Sequence, residues 1–246
     1  MDFKVVGDGE PLVLIHGLGQ TYKAWKYQEE LSDTYQLILP NLRGHGNSSI
    51  TQNITLESFA KDVITMLDDL NIESAHIGGL SMGGLTAQAL YRKAPHRVKS
   101  MILANTTSYV PYCIGTLFAT QRKWNLCMVN DEMYIKQISR GSLYNPSDLM
   151  VKEAMETFKI NRTAYNQAVY AAVGINFLPM LSRAEVPIQI ISSTHDMVTP
   201  YAFNGFYMQN WASRARSTVF NRTGHLSNIQ RPGQFNQVVR DFLEEV

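Results

Sequence analysis

Three residues set far apart in this chain have the types needed for acyl transfer. Ser81 lies in Gly79-Leu80-Ser81-Met82-Gly83, a Gly-x-Ser-x-Gly pattern. A serine hydroxyl is a poor nucleophile unless a base stands beside it, and that base needs a carboxylate to fix its tautomer. His225, in Thr223-Gly224-His225-Leu226, is the candidate base. Asp196, in His195-Asp196-Met197-Val198-Thr199-Pro200, is the candidate acid. The order along the chain is nucleophile, acid, base, which differs from the orders of the chymotrypsin and subtilisin families. A tetrahedral oxyanion also wants two N–H donors. Met82, directly after the serine, offers one. Leu18, in His16-Gly17-Leu18-Gly19 after an early apolar run, offers the other. Both act through backbone, so their side chains are free to shape a pocket.

These residues need a scaffold that brings them together, and the hydrophobic pattern supplies one. Phe3–Val6, Leu12–Ile15, Tyr35–Leu39, Ser74–Gly78, Val98–Ala104, Pro187–Ser192 and Ser217–Phe220 are expected strands. Leu12–Ile15 is a continuous apolar run, as in a strand covered on both faces. A helix-like stretch holds Trp25 and Leu31. Leu56, Phe59, Ala60, Val63, Ile64, Leu67 and Leu70 repeat with a helical period, so 56–70 is expected to be an amphipathic helix. Helices are also expected at 85–93, stopped by Pro95, and at 232–244. Strand and helix alternate, which predicts an α/β fold built on a mostly parallel central sheet with helices on both faces. From Thr107 to Glu185 the alternation stops. That stretch is helical in pattern and rich in Tyr, Phe, Met and Trp. The expected organisation is therefore a core of 1–106 and 186–246 with an inserted helical cap at 107–185. In this layout Ser81 falls between a strand and a helix, where a sharp turn would hold its Oγ clear of the backbone.

The bulk properties exclude other classes. The chain has 246 residues, 45% of them apolar and 17% charged, with a net charge of +1. It has no basic run to bind nucleic acid and no apolar stretch of about 20 residues to span a membrane. Cys113 and Cys127 are its two cysteines, and their placing does not suggest a metal site. The N-terminus lacks a basic segment followed by an apolar run, so the expected location is the cytoplasm, where both thiols stay reduced. No cofactor or metal is required. The expected partner is a small-molecule ester or lactone, and the expected state a monomer or homodimer.

The motifs LVLIHGLG, PNLRGHGNS, GGLSMGG, KAPHRVKSMILANTT, DMVTP and GHLSNIQRPGQFNQVVRDFL fall in the order and spacing of the α/β-hydrolase superfamily, which the chain resembles over nearly its whole length. Within it, GLSMGG together with GHLSNIQRPGQFN is most similar to the 3-oxoadipate enol-lactonases and related small carboxylesterases. The resemblance implies an α/β-hydrolase fold and a Ser-His-Asp triad acting through an acyl-enzyme on small esters. The rival reactions are enol-lactone hydrolysis by the same residues and, in a different class, ligand reception with slow or no turnover. Three positions depart from the family. Asn41 stands where many members carry Asp. Ser193 stands where Gly usually begins the turn carrying the acid. Tyr170-Ala171-Ala172-Val173 lacks the arginine associated with the lactonases.

The remaining polar residues have plainer expected roles. His16 and His45 sit in glycine-rich loops and are expected to brace them. His76 is expected to pack in or beside the sheet, His96 to lie on the surface, and His195 to be incidental to its neighbour Asp196. Tyr109, Trp124, Met128 and Leu226 are the candidate pocket residues. The basic residues Arg122, Lys123, Lys136, Arg140 and Arg162 are expected to lie mostly on a solvated face.

Overall fold

The computed structural model describes residues 1–49, 51–202 and 205–246. A seven-stranded sheet runs through it: β1 (Phe3–Val6), β2 (Glu10–Ile15), β3 (Tyr35–Pro40), β4 (Ala75–Leu80), β5 (Val98–Ala104), β6 (Ile188–Ser193) and β7 (Ala215–Phe220), in spatial order β1-β3-β2-β4-β5-β6-β7. β1 pairs antiparallel with β3, and every other neighbour is parallel. Successive side chains of a strand point to opposite faces. Val13, Ile15, Ile77, Met101 and Leu103 therefore bury against one layer, with α1 (Leu56–Asp69) and α2 (Met82–Lys93). Leu12, Leu14, Leu37 and Ile102 bury on the other face, against Trp25, Leu31 and the later helix 232–243. This is the α/β architecture expected from the apolar runs.

The local signals mostly hold, and the differences have causes. Thr55 and Ser58 form a capping box that starts α1, and Leu56, Phe59, Ala60, Val63, Met66 and Leu67 are its buried face. α2 begins at Met82, three residues before the expected start. Gly83-Gly84 weakens the helical signal there, but close packing requires small residues, as shown below. The stretch around Trp25 and Leu31 is two 3-10 turns, Tyr22–Trp25 and Gln28–Asp33, not one helix.

Between β5 and β6 lie α3 (Tyr112–Met128), α4 (Asp131–Gly141), α5 (Asp148–Met155), α6 (Arg162–Ala168) and α7 (Leu178–Leu181). An extended stretch inside this segment is stitched to the core loops. Thr21 N–H donates to Thr157 O (2.8 Å), Lys159 N–H to Gly19 O (3.0 Å), and single β-bridges join Gln20 to Phe158 and His45 to Ile160. After β6 come α8 (Gly205–Trp211), α9 (Ser227–Gln230) and α10 (Pro232–Leu243). The first two are too short to show a hydrophobic period in sequence. Cys113 and Cys127 are free and exposed. They are 14 residues apart on one helix, about 21 Å along its axis, too far for a disulfide. Among the described residues no helix is long and apolar enough to cross a membrane.

Candidate active site

Because β2, β4, β6 and β7 are parallel, the loops that follow them leave the same edge of the sheet. Leu18 follows β2, Ser81 follows β4, Asp196 follows β6 and His225 follows β7. Topology alone thus gathers four segments scattered over more than 200 residues.

Ser81 has φ 55° and ψ −117°, a left-handed conformation that a side chain rarely adopts, costing about 1–3 kcal/mol. Its backbone is held there: Ser81 N–H donates to Ala104 O (2.9 Å), and Ser81 O accepts from Thr106 Oγ1 (2.6 Å), Gly84 N–H (2.9 Å) and Leu85 N–H (3.2 Å). The flanking glycines are set by approach distance. A Cβ on Gly79 would lie 2.2 Å from the Gly83 carbonyl carbon, and one on Gly83 would lie 2.0 Å from Ile15 O. The turn can therefore pass over the end of β2 only with both positions bare. Met82 is the first residue of α2, so its N–H has no acceptor within that helix.

Asp196 is buried and accepts five hydrogen bonds. Oδ1 receives Val198 N–H and Thr199 N–H, both at 2.8 Å. Oδ2 receives Thr199 Oγ1 (2.7 Å), Asn105 Nδ2 (3.0 Å) and His225 Nδ1 (2.8 Å). Burial alone would raise its pKa, but His225 and the Thr199 donors reverse that, and the carboxyl is held below its ordinary range. An ionised carboxylate can only accept, so Nδ1 of His225 carries the proton. In the neutral ring Nε2 is then the acceptor. Asn105 is oriented in turn by Ser227 Oγ, which donates to its Oδ1 (2.5 Å). The loop carrying His225 is pinned from below: Gly224 N–H donates to Gln230 Oε1 (2.9 Å), and Gln230 Nε2 donates to Tyr144 O (2.6 Å).

Leu18 sits in a loop closed by Gln20, whose Oε1 accepts Gly17 N–H (3.1 Å) and whose Nε2 donates to Thr157 Oγ1 (3.1 Å). Among the described residues the Leu18 N–H has no acceptor. His16 and His45 brace this region as buried neutral rings. Leu42 N–H donates to His16 Nε2 (3.1 Å), so His16 Nδ1 is the protonated nitrogen and donates to Gly17 O (2.8 Å). Burial, and then the nearby His45, push His16 down to about 3, and burial pushes His45 down to about 4. His76 is buried beside Ser100, His96 is exposed, and His195 stacks on Tyr144 with ring centroids 4.0 Å apart. The family departures at 41 and 193 are absorbed locally. Asn41 accepts from Tyr22 N–H (2.8 Å) and donates to Asp2 (2.7 Å), while Ser193 accepts from Asn105 Nδ2 (3.0 Å).

A cavity of about 790 Å³ opens onto Ser81, Met82, Leu18, His225, Tyr109 and Leu226. Trp124 and Met128 are corrections to the expected pocket. They lie outside it on the outer side of α3, each 63% exposed, because residues 114, 118 and 122 form the inward stripe of that helix. Tyr207, Met208 and Trp211 of α8 line the cavity and were not anticipated from sequence. The aromatic residues at 206, 207 and 211 were the signal that could have pointed to them. Thr199 and Asn105, which hold Asp196, were also missed. Short polar residues beside the ends of β5 and β6 are the only trace they leave in sequence. Among the described residues no group of three His, Cys, Asp or Glu is placed to hold a metal ion.

A family model described as the alpha/beta hydrolase fold matches residues 10–134, just over half of the chain. The chain belongs to the α/β-hydrolase fold family. Its relatives agree. It is 28% identical to 3-oxoadipate enol-lactonase 1 of Acinetobacter baylyi, over 96% of this chain and 89% of that protein. The fold is also that of a thermophilic esterase from Thermogutta terrifontis (TM-score 0.90, 22% identity, 99% of this chain and 93% of that one). The enol-lactonase from Burkholderia xenovorans LB400 shares it too (TM-score 0.86, 24% identity, 99% and 96%).

Proposed function

We propose that this α/β-hydrolase is a serine carboxylic-ester hydrolase acting on small esters. The observation that carries the reading is the convergence on one cavity of a serine in a strained turn and a histidine bonded to a buried, ionised aspartate. Ser81 attacks the ester carbonyl. His225 takes the hydroxyl proton through Nε2 and returns it to the leaving alcohol. Asp196 fixes the tautomer and stabilises the imidazolium. The Leu18 and Met82 N–H groups stabilise the tetrahedral oxyanion, each by about 3 kcal/mol. Water then repeats the attack on the acyl-Ser81, and the free acid leaves. The segment 107–185 acts as a cap that walls the cavity and sets which acyl and alcohol groups enter.

A lactone is an internal ester, and the same steps open it. The relative named 3-oxoadipate enol-lactonase 1 favours that second reading. Both readings depend on Ser81. We expect 4-nitrophenyl esters from acetate to decanoate to be hydrolysed by the native protein, and Ser81→Ala to lose that turnover by at least about 10³-fold while keeping its melting temperature. Near-native turnover in Ser81→Ala would sink the mechanism. A native protein inert toward all these esters would move the assignment to lactones.

A further inference from the structure

The loop that carries Leu18 is held by the inserted segment, at the stretch that follows α5. Within the loop, Gln20 N–H donates to Gly17 O and Gln20 Oε1 accepts Gly17 N–H, both at 3.1 Å. The turn is thus closed twice, with Leu18 inside it. The second closure works only if the Gln20 amide oxygen faces Gly17. That orientation is set from 137 residues away. Thr157 Oγ1 has one proton, which it donates to Ala154 O (2.7 Å). Toward Gln20 it can then only accept, so it takes an Nε2 hydrogen (3.1 Å) and leaves Oε1 for Gly17.

Backbone bonds tie the same two stretches together. Thr157 O accepts Thr21 N–H (2.8 Å) and Thr21 Oγ1 (3.2 Å), and Lys159 N–H donates to Gly19 O (3.0 Å). Gly17, Gly19, Gln20, Thr21 and Thr157 are all buried, so a lost partner there is not replaced by bulk water. The anchor is itself fixed. Val151 and Ala154 of α5 bury in one apolar layer with Leu12, Leu14 and Trp25, and Met155 and Phe158 pack against it. This end of the inserted segment is moored to the sheet.

We propose that Thr157 is a positioning residue, which locks the Gln20 amide and through it places the Leu18 N–H where the oxyanion forms. The stretch after α5 then belongs to the catalytic frame as well as to the cavity wall. The catalytic half of this inference rests on the ester-hydrolase reading, and the anchoring half does not.

Thr157→Val keeps the shape of the side chain and strands the Gln20 amide. With 4-nitrophenyl butyrate, kcat should fall about 30-fold, short of the roughly 10²–10³ expected for losing an oxyanion donor outright, while KM stays within about threefold. Thr157→Ser restores the hydroxyl and should recover most of kcat. The His225 loop is held separately, by Gln230 and Tyr144, so the pH midpoint of kcat/KM should not move. Gln20→Met removes the amide itself, and adding Thr157→Val to it should cost little more, because both act through one contact. A kcat within about threefold of native, a loss carried by KM, a shifted midpoint or additive losses would each overturn the proposal.

The second measurement needs no turnover. Amide hydrogen exchange of residues 16–21, read by mass spectrometry, should be about tenfold faster in Thr157→Val than in the native protein, a larger change than in β4. Thr157→Ser should exchange like the native protein, and Gln20→Met supplies the same readout where Thr157→Val fails to fold. Native-like exchange of the loop in Thr157→Val or Gln20→Met overturns the anchoring, whatever the esters do. Faster exchange in the variants, with no ester hydrolysed by the native protein, supports the anchoring and sinks the ester-hydrolase reading alone.

Discussion

The two walls of the cavity are built on different physical terms. One wall is the carboxyl edge of the sheet, where Ser81, Asp196, His225 and Leu18 sit in loops whose backbone has almost no freedom. Asp196 alone accepts five hydrogen bonds, and Gly79 and Gly83 have no room for a Cβ. The opposite wall is α3 and α8, where Phe118, Tyr207 and Trp211 face the cavity from helices that are exposed on their other side. The first wall fixes atoms to within a hydrogen bond, as reaction chemistry requires. The second fixes only a volume. Substitution should therefore be punished abruptly in the first and gradually in the second.

The largest contrast is chemical. Asp196→Asn keeps the size of the side chain but leaves an amide facing His225 Nδ1, which favours the wrong tautomer. On the proposed mechanism, kcat should fall by about 10⁴-fold. No single substitution on the α3 wall should approach that. Steady-state kinetics on one short ester tests it, and a loss under tenfold would mean that Asp196 is not the orienting acid.

The next contrast is mechanical and independent of function. Gly83→Ala forces a methyl to within 2.0 Å of a backbone oxygen, so we expect a loss of at least about 3 kcal/mol in urea unfolding. Gly141→Ala, at the end of α4, meets nothing within 4 Å. There it should gain up to about 1 kcal/mol through helix propensity. Similar effects at the two positions would break the comparison.

The same difference explains what could be seen in the sequence. The sheet edge was legible because its backbone geometry demands particular residue types: glycines on either side of Ser81, and a continuous apolar run at Leu12–Ile15 in a strand buried on both faces. α3 was legible as a helix but not in its orientation. Its apolar residues lie all round it, Ile114 and Phe118 inward and Leu117, Trp124 and Met128 outward, so helical period alone could not say which face lines the cavity. Asn105 and Thr199 reach Asp196 across 91 and 3 residues, and no spacing rule connects them.

The loops of the sheet edge should also carry a pH signature that α3 lacks. His16 and His45 titrate near 3 and near 4 in the folded chain and near 6.5 when unfolded. Between those values the unfolded chain binds more protons, so their contribution is full above pH 6.5 and is lost as pH falls. From pH 7 to pH 5 the loss should be roughly 4 kcal/mol for the pair. Asp196, whose folded pKa is depressed, adds to the loss only at lower pH, as its own carboxyl titrates. Unfolding free energies measured across this range should slope accordingly, and His16→Gln should remove about half the slope. A flat profile between pH 7 and pH 5 would mean that both rings protonate in the fold as readily as in the unfolded chain.

The smallest effects are expected on the α3 wall, and they separate its two faces. Trp124 is 63% exposed and outside the cavity, so Trp124→Ala should change stability by less than about 0.5 kcal/mol and leave acyl-length preference as it was. Phe118→Ala enlarges the cavity by most of a ring and removes the surface on which Arg122 stacks. It should shift the kcat/KM ratio of octanoate to butyrate 4-nitrophenyl esters by about tenfold, the scale on which apolar pockets discriminate. Ser81, Asp196 and His225 are unchanged in both variants, so any change in selectivity belongs to the wall. Equal selectivity profiles for Trp124→Ala and Phe118→Ala would mean that α3 does not set the acyl pocket, and α8 would then be the wall that does.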